Sequence, residues 1–226
     1  MLLAAACAPG AVVDVPAQER GRALFQSAEL SDSAFNVFAR ATCHRADGER
    51  DTARILPGAD LAGVTRRART WGGAERDLLA AVNTCLVYFM RGQPWRREDE
   101  RARQLYEFLA SREGGAAQTL PMTLPRDAAD VPRGDPGRGA TVYDAACRAC
   151  HGAPHTGEGR ATRLAPLLPG VADDYAVIFP GVPRALVFVE KVRHGQFYGV
   201  GGNMPFFSLE ALSDDDLGAL LAFLGV

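Results

Sequence analysis

Cys147, Cys150 and His151 carry the clearest chemistry in this chain of 226 residues, in the order C-x-x-C-H. Two thiols at this spacing can each add to a vinyl group of a haem, and the adjacent imidazole can bind the iron as an axial ligand. The alternative is a redox-active or zinc-binding C-x-x-C pair. The spacing predicts covalent attachment of one haem c.

Met204 is the candidate for the second axial ligand. It lies 53 residues after His151, in the sequence GGNMPFF. A thioether ligand raises the reduction potential of haem iron, which suits electron transfer, whereas a methionine among aromatic residues can also serve as core packing. Between the two ligands, the carbonyl of Pro166 or of a neighbour is expected to accept the Nδ1 proton of His151 and so to orient the ring.

Two helices are predicted to position these residues. The first contains Gly139 and Tyr143, which would let it cross a later helix closely. The second covers residues 209–224, where Ser213 starts the helix and the acidic residues 214–216 favour its N-terminal dipole. Leucines that share one face of this helix indicate a buried side.

Residues from about 135 to 226 resemble the class I cytochrome c family in all of these features. The resemblance implies an all-α fold, a covalent haem c held by Cys147 and Cys150, and axial ligation by His151 and Met204. It also implies one-electron transfer as the activity, with redox proteins as partners.

The composition is that of a globular chain with room for two small domains. Hydrophobic residues make up 47% and charged residues 23%, and the net charge is −2. No basic excess points to nucleic acid as a partner. No apolar run reaches the roughly 18 residues that a transmembrane helix needs.

The N-terminal residues 1–16 are predicted to be an export signal and tether. The run MLLAAAC resembles a bacterial lipoprotein cleavage site, in which Cys7 would be lipidated. The alternative is an ordinary secretory signal in which Cys7 is incidental. Because thioether attachment takes place after export, we expect a periplasmic protein, tethered to the membrane through Cys7.

Residues 17–112 repeat the plan of residues 135–226, which predicts two tandem cytochrome c-like domains. The run RATCH, from Arg40 to His44, corresponds to C-x-x-C-H, and Gly21 corresponds to Gly137. The differences are decisive, because Arg40 replaces the first attaching cysteine and Gln93 replaces the methionine. We therefore predict that the first domain has lost its haem.

Residues 113–134 are rich in glycine, proline and alanine, which is typical of an interdomain linker. Met122 within this linker is expected to be a packing contact rather than an iron ligand.

Cys43 and Cys85 are the two otherwise unpaired cysteines of the first domain. In an exported protein such cysteines are commonly joined, so we predict a disulfide between them. It would stabilise the domain by about 3 to 4 kcal/mol in the chain-entropy account. Two buried free thiols are a further alternative.

The first domain also resembles the N-terminal domain of dihaem thiosulfate dehydrogenases and of SoxA cytochromes, through the sequences AVNTC and RGQPW and the upstream RATCH. In those families a cysteine is an axial ligand of the active-site haem, and Cys85 matches its position. The resemblance implies an alternative in which one thioether to Cys43 holds a haem between His44 and Cys85. Arg40 and Met204 depart from the pattern of these families.

The sequence thus predicts a periplasmic electron carrier, or the electron-transfer subunit of a larger oxidoreductase, rather than an enzyme. Its partners would be an oxidase, a dehydrogenase or another cytochrome, and the first domain would be a docking or structural module. The rival function is oxidation of sulfur compounds at the pocket formed by Cys43, His44 and Cys85.

Overall fold

The computed structural model describes residues 16–46, 53–112, 114–127, 131–199 and 204–226. Within these ranges the chain is helical and forms no β-strand, apart from one isolated antiparallel bridge between Thr70 and Glu75. The predicted all-α fold is therefore confirmed. Cys7 lies outside the described residues.

The described residues contain nine α-helices of four to eleven residues. In chain order they are α1 (Ala17–Gln26), α2 (Arg40–Cys43), α3 (Leu78–Tyr88), α4 (Glu100–Ala110), α5 (Pro136–Ala146), α6 (Arg148–His151), α7 (Val171–Ile178), α8 (Arg184–His194) and α9 (Asp214–Leu224). Short 3-10 turns cover Ala28–Leu30, Val64–Arg66 and Trp71–Gly73. We call residues 16–112 the N-terminal half and residues 131–226 the C-terminal half.

In the C-terminal half, α5 crosses α9 at very short range. Gly139 makes this possible, because a Cβ at that position would overlap the carbonyl oxygen of Ala219. Tyr143, one turn later, is fully buried with its ring 5.7 Å from that of Phe223. The predicted close crossing of two helices is therefore present.

The last helix is shorter than the sequence predicts. Ser213 caps it, accepting a hydrogen bond from the N–H of Asp216 at 3.1 Å, and the helix begins at Asp214 rather than at Leu209. Residues 209–212 form turns instead. The N–H of Leu209 donates to the Thr123 carbonyl, and the Leu212 carbonyl accepts from Arg193, while Ala211 and Leu212 donate to the nearby Ser208 carbonyl.

The N-terminal half repeats this crossing with α1 and α4. Here Gly21 faces the carbonyl oxygen of Gln104, and Phe25 lies 5.4 Å from Phe108 between ring centroids. In the structure Gly21 therefore corresponds to Gly139 and not to Gly137, which corrects the predicted alignment by two positions. Only the glycine that faces the partner helix must lack a side chain.

The predicted linker is tied to both halves rather than free. Thr123 accepts a bond from Leu209 N–H at 3.0 Å and donates its hydroxyl to Glu210 at 2.6 Å. On the other side, Arg67 donates to the Ala116 carbonyl at 2.9 Å. The linker therefore holds the two halves in contact.

Candidate haem site

Helices α5 and α6 position the C-x-x-C-H residues. Asp135 caps α5 by accepting from Arg138 N–H at 2.8 Å, and Pro136 occupies the first turn, where a missing N–H is tolerated. Cys147 ends α5, and α6 continues directly to His151. Gly152, with a φ of +72°, then turns the chain away. The two thiols and the imidazole therefore lie in the short segment between the end of α5 and this turn.

His151 has the environment of a metal-binding imidazole. Its side chain is buried, and Nδ1 lies 3.0 Å from the carbonyl oxygen of Pro166, the carbonyl that the sequence singled out. Burial lowers the pKa of His151, so the ring is neutral at pH 7. With the Nδ1 proton donated to Pro166, Nε2 carries the free lone pair that an iron ligand needs.

Cys147 and Cys150 are free thiols in the structure. Burial raises the pKa of Cys147 to about 12 and also raises that of Cys150. The zinc alternative needs four nitrogen or sulfur ligands. Among the described residues, no group of three or more His, Cys, Asp or Glu side chains could hold a metal ion. Two free thiols and a neutral imidazole are the groups that attachment through two thioethers and one axial nitrogen would require.

Met204 lies on a loop that the end of α8 holds in place. Its N–H donates to the Gly195 carbonyl at 2.9 Å, and Phe207 N–H donates to the Val192 carbonyl at 2.8 Å. Met204 is half-buried and packs against the same apolar core as Cys147. The structure thus brings the predicted ligand loop and the attachment residue to one core, while residues 200–203 lie outside its description.

Arg193, which the sequence analysis did not single out, fixes the segment after Met204. Its side chain is 1% exposed and donates to the carbonyls of Phe207 at 3.0 Å, Ser208 at 3.3 Å and Leu212 at 2.7 Å. It also pairs with Asp214 at 2.7 Å. No periodicity or motif reveals this role, because it depends on carbonyls 14 to 19 residues away.

The N-terminal half preserves the histidine but not the attachment motif. Nδ1 of His44 lies 2.8 Å from the Ala59 carbonyl, 15 residues later, which is the separation between His151 and Pro166. Burial lowers the pKa of His44 to about 4, so this ring is neutral as well.

The predicted disulfide is not formed in the structure, where Cys43 and Cys85 are free thiols. Cys85 is instead hydrogen-bonded by Arg40. The pairing remains a prediction, and the two sulfurs are close enough that Cys85 contributes, after burial, to raising the pKa of Cys43 to about 12.

A cavity of about 680 Å³ lies between the two halves, and we call it the interdomain cavity. Cys43, His44 and Cys85 line it from one side, and Phe206 of the methionine loop lines it from the other. Phe206 packs edge-on against Trp71, with ring centroids 5.8 Å apart.

A second contact joins the halves beside the attachment residues. Ile55 N–H donates to the Ala145 carbonyl at 3.1 Å, and Ile55 packs on the C-terminal core. The N-terminal half therefore covers the C-terminal half beside Cys147 and again at the methionine loop.

The fold and the site define a cytochrome c-type domain in the C-terminal half. Residues 134–224 match the family described as cytochrome C oxidase, cbb3-type, subunit III. A comparison with curated proteins finds no match. The match supports haem c binding and electron transfer by this half, and the resemblance of the N-terminal half to thiosulfate dehydrogenases and SoxA stays a prediction. None of the described helices is long and apolar enough to cross a membrane.

Proposed function

We propose that this chain is a periplasmic c-type cytochrome that carries single electrons through one covalent haem. Cys147 and Cys150 would hold the macrocycle, and His151 and Met204 would be its axial ligands. When bound, a haem with this ligation supplies reversible one-electron transfer. We further propose residues 17–112 and 135–226 as two domains, joined by residues 113–134, with the first lacking haem and serving as a docking or structural module.

The observation that carries the proposal is the state of His151. The ring is buried and neutral, and the Pro166 carbonyl at 3.0 Å fixes its tautomer. It directly follows Cys150, and both attachment cysteines are half-buried free thiols. His151 therefore presents Nε2 as a ligand beside two attachment points. This combination supports haem binding more than it supports a purely structural role.

The first test is haem content after expression with cytochrome c assembly machinery. We expect one haem per chain in the pyridine haemochrome spectrum, and a mass increase of one haem that survives denaturation. Cys147→Ser combined with Cys150→Ser should abolish the covalent haem. Retention of covalent haem in that double variant would contradict the assignment.

The second ligand is tested by comparing two methionines. Met204→Leu should lower the reduction potential and open an iron position that binds added imidazole, because the thioether is lost. Met122→Leu is the matched control. Met122, in the linker, packs beside Gly72 of the N-terminal half, so this substitution should leave both properties unchanged. Equal effects of the two substitutions would exclude Met204 as the ligand.

A second candidate function is sulfur-compound oxidation at a haem in the first domain. One observation favours it, namely that His44 keeps the orienting bond to the Ala59 carbonyl beside a cavity of about 680 Å³. In this case the chain would contain two haems, with Cys43 and Cys85 both protected from alkylation by the cofactor. One haem, together with two thiols that become alkylated only after reduction, would exclude it.

The proposed tether depends on Cys7, which lies outside the described residues. Mass spectrometry of the N-terminal peptide should find a lipidated cysteine, and Cys7→Ser should release the protein from the membrane fraction. An N-terminal peptide of the natural protein with an unmodified Cys7 would contradict the lipid anchor.

A further inference from the structure

Arg40 is the most unusual residue of the interdomain cavity. It stands where the second half has Cys147, and it is only 4% exposed. Its Nε and Nη1 atoms are buried and have no hydrogen-bond partner, while the guanidinium contacts the Cys85 side chain. Two buried donors of a cation without an acceptor are unfavourable, and an anion in the cavity would satisfy them.

The cavity wall supplies further positive charge. Besides Arg40, the arginines that line the cavity are Arg45, Arg54 and Arg67. Among the described residues, the carboxylates in the wall are Asp60 and Glu210, which gives four arginines against two acids in this part of the chain. The cavity therefore has a positive potential that would attract an anion.

Neither acid compensates Arg40. Asp60 accepts from the N–H of Ala62 at 2.8 Å, and both carboxylate oxygens of Glu210 accept from Thr123. A third acid, Glu75, acts electrostatically on Cys85 from outside the wall and accepts from the Thr84 hydroxyl at 2.5 Å. The two unpaired nitrogens of Arg40 are left for a ligand.

We propose that the interdomain cavity binds a small oxyanion, whose oxygen atoms accept hydrogen bonds from the free N–H groups of Arg40. Guanidinium groups are well suited to this class of ligand, because their planar donors match oxyanion geometry. The site needs no haem in either half, since every residue that forms it belongs to the protein.

Anion binding here also affects the attached haem, and this part rests on the proposed function. Ile55 lines the cavity, and its N–H donates to the Ala145 carbonyl at 3.1 Å, two residues before the attachment residue Cys147. A negative charge near this attachment residue stabilises ferric over ferrous iron. The reduction potential of the haem should therefore fall as the anion binds.

The test uses the full-length, haem-loaded protein and sulfate as the probe, at constant ionic strength maintained with chloride. Calorimetry should give a saturable site with a stoichiometry of one, and the reduction potential should fall over the same concentration range. Arg40→Gln should weaken binding by at least about tenfold, which corresponds to one lost charged hydrogen bond. Arg69→Gln is the control, because Arg69 is exposed and donates to the Gly73 carbonyl outside the cavity.

The unfolding temperature gives an independent readout. Without sulfate, Arg40→Gln should unfold at the same or a higher temperature than the natural chain, because an uncompensated charge has been removed. If Arg40→Gln does not fold, Arg40→Lys replaces it, and it should weaken sulfate binding by losing the planar donors. Unchanged binding in these variants, or a second haem in the cavity, would overturn the proposal. Loss of the haem spectrum would instead contradict the proposed function, so the two failures are distinguishable.

Discussion

Arg193→Met should destabilise the C-terminal half far more than loss of an exposed arginine does. The natural side chain is 1% exposed and holds three backbone carbonyls together with Asp214. Methionine has a similar length, so it can fill much of the space, but it donates no hydrogen bond. The substitution therefore isolates the contribution of the guanidinium.

The loss in free energy of unfolding depends on which partners of Arg193 stay buried, and so cannot bond to water, after the substitution. Each buried carbonyl that loses its donor costs about 1 to 3 kcal/mol, but three neighbouring losses are not additive because the loop can relax. Asp214 is 41% exposed and regains water, so its lost pairing adds little. Nε of Arg193 has no partner, and its removal offsets part of the loss. We expect a net loss of about 3 to 5 kcal/mol, the usual range for breaking a buried charged network.

Arg138→Met is the matched control. Arg138 also pairs with an aspartate at the start of α9, Asp216, but its side chain is 57% exposed. An exposed pair of this kind contributes about 0 to 1 kcal/mol. Two arginines that hold the same helix terminus should therefore differ several-fold in their effect.

Guanidinium chloride unfolding, followed at the haem absorbance band of the loaded protein, measures the difference. This signal reports on the C-terminal half, which avoids assuming that both halves unfold together. Arg193→Met should also lose methionine ligation at a lower denaturant concentration than overall helicity, since Arg193 holds the segment after Met204. A loss below about 1 kcal/mol, or one equal to that of Arg138→Met, would refute the reasoning.

Three further predictions concern the helix crossing and the N-terminal half. Gly139→Ala should destabilise the C-terminal half by about 2 kcal/mol or more, because its Cβ overlaps the α9 backbone, while Gly137→Ala should change the midpoint little; equal midpoints would contradict the crossing. Arg40→Cys restores C-x-x-C-H beside the oriented His44, so haem content should rise from one to two per chain, and an unchanged content would mean that the cavity does not accept a macrocycle. The stability of the N-terminal half should fall as the pH drops from 6.5 towards 4, because the folded pKa of His44 is about 4 and the unfolded chain takes up its proton first; His44→Gln should flatten that profile.

The sequence was sufficient for the features that depend on local patterns. The crossing at Gly139, the cap at Ser213 and the carbonyl of Pro166 all follow from residue types at fixed spacing, and the structure contains each of them. Correspondence between the two halves was also visible, but its register at the first helix was off by two positions. Gly21 and Gly137 are each followed by an arginine, but this similarity does not show which glycine faces the partner helix.

Features that depend on distant contacts could not be predicted in this way. The packing of Phe206 against Trp71 joins residues 135 positions apart, and the interdomain cavity exists only because the two halves meet there. The role of Arg193 could not be predicted either, since an arginine near the end of a helix usually points to solvent. Burial of Arg40 has no signature either, because nothing in RATCH distinguishes a buried guanidinium from an exposed one.

The bond between Ile55 and Ala145 has a consequence for the order of assembly. This contact, together with the packing of Ile55 on the C-terminal core, lies two residues before Cys147, where a haem-attaching enzyme must gain access. In the proposed function the chain is exported before its haem is attached, and docking at Ile55 would place the N-terminal half beside the attachment site. We therefore expect the two halves to dock after both thioethers have formed.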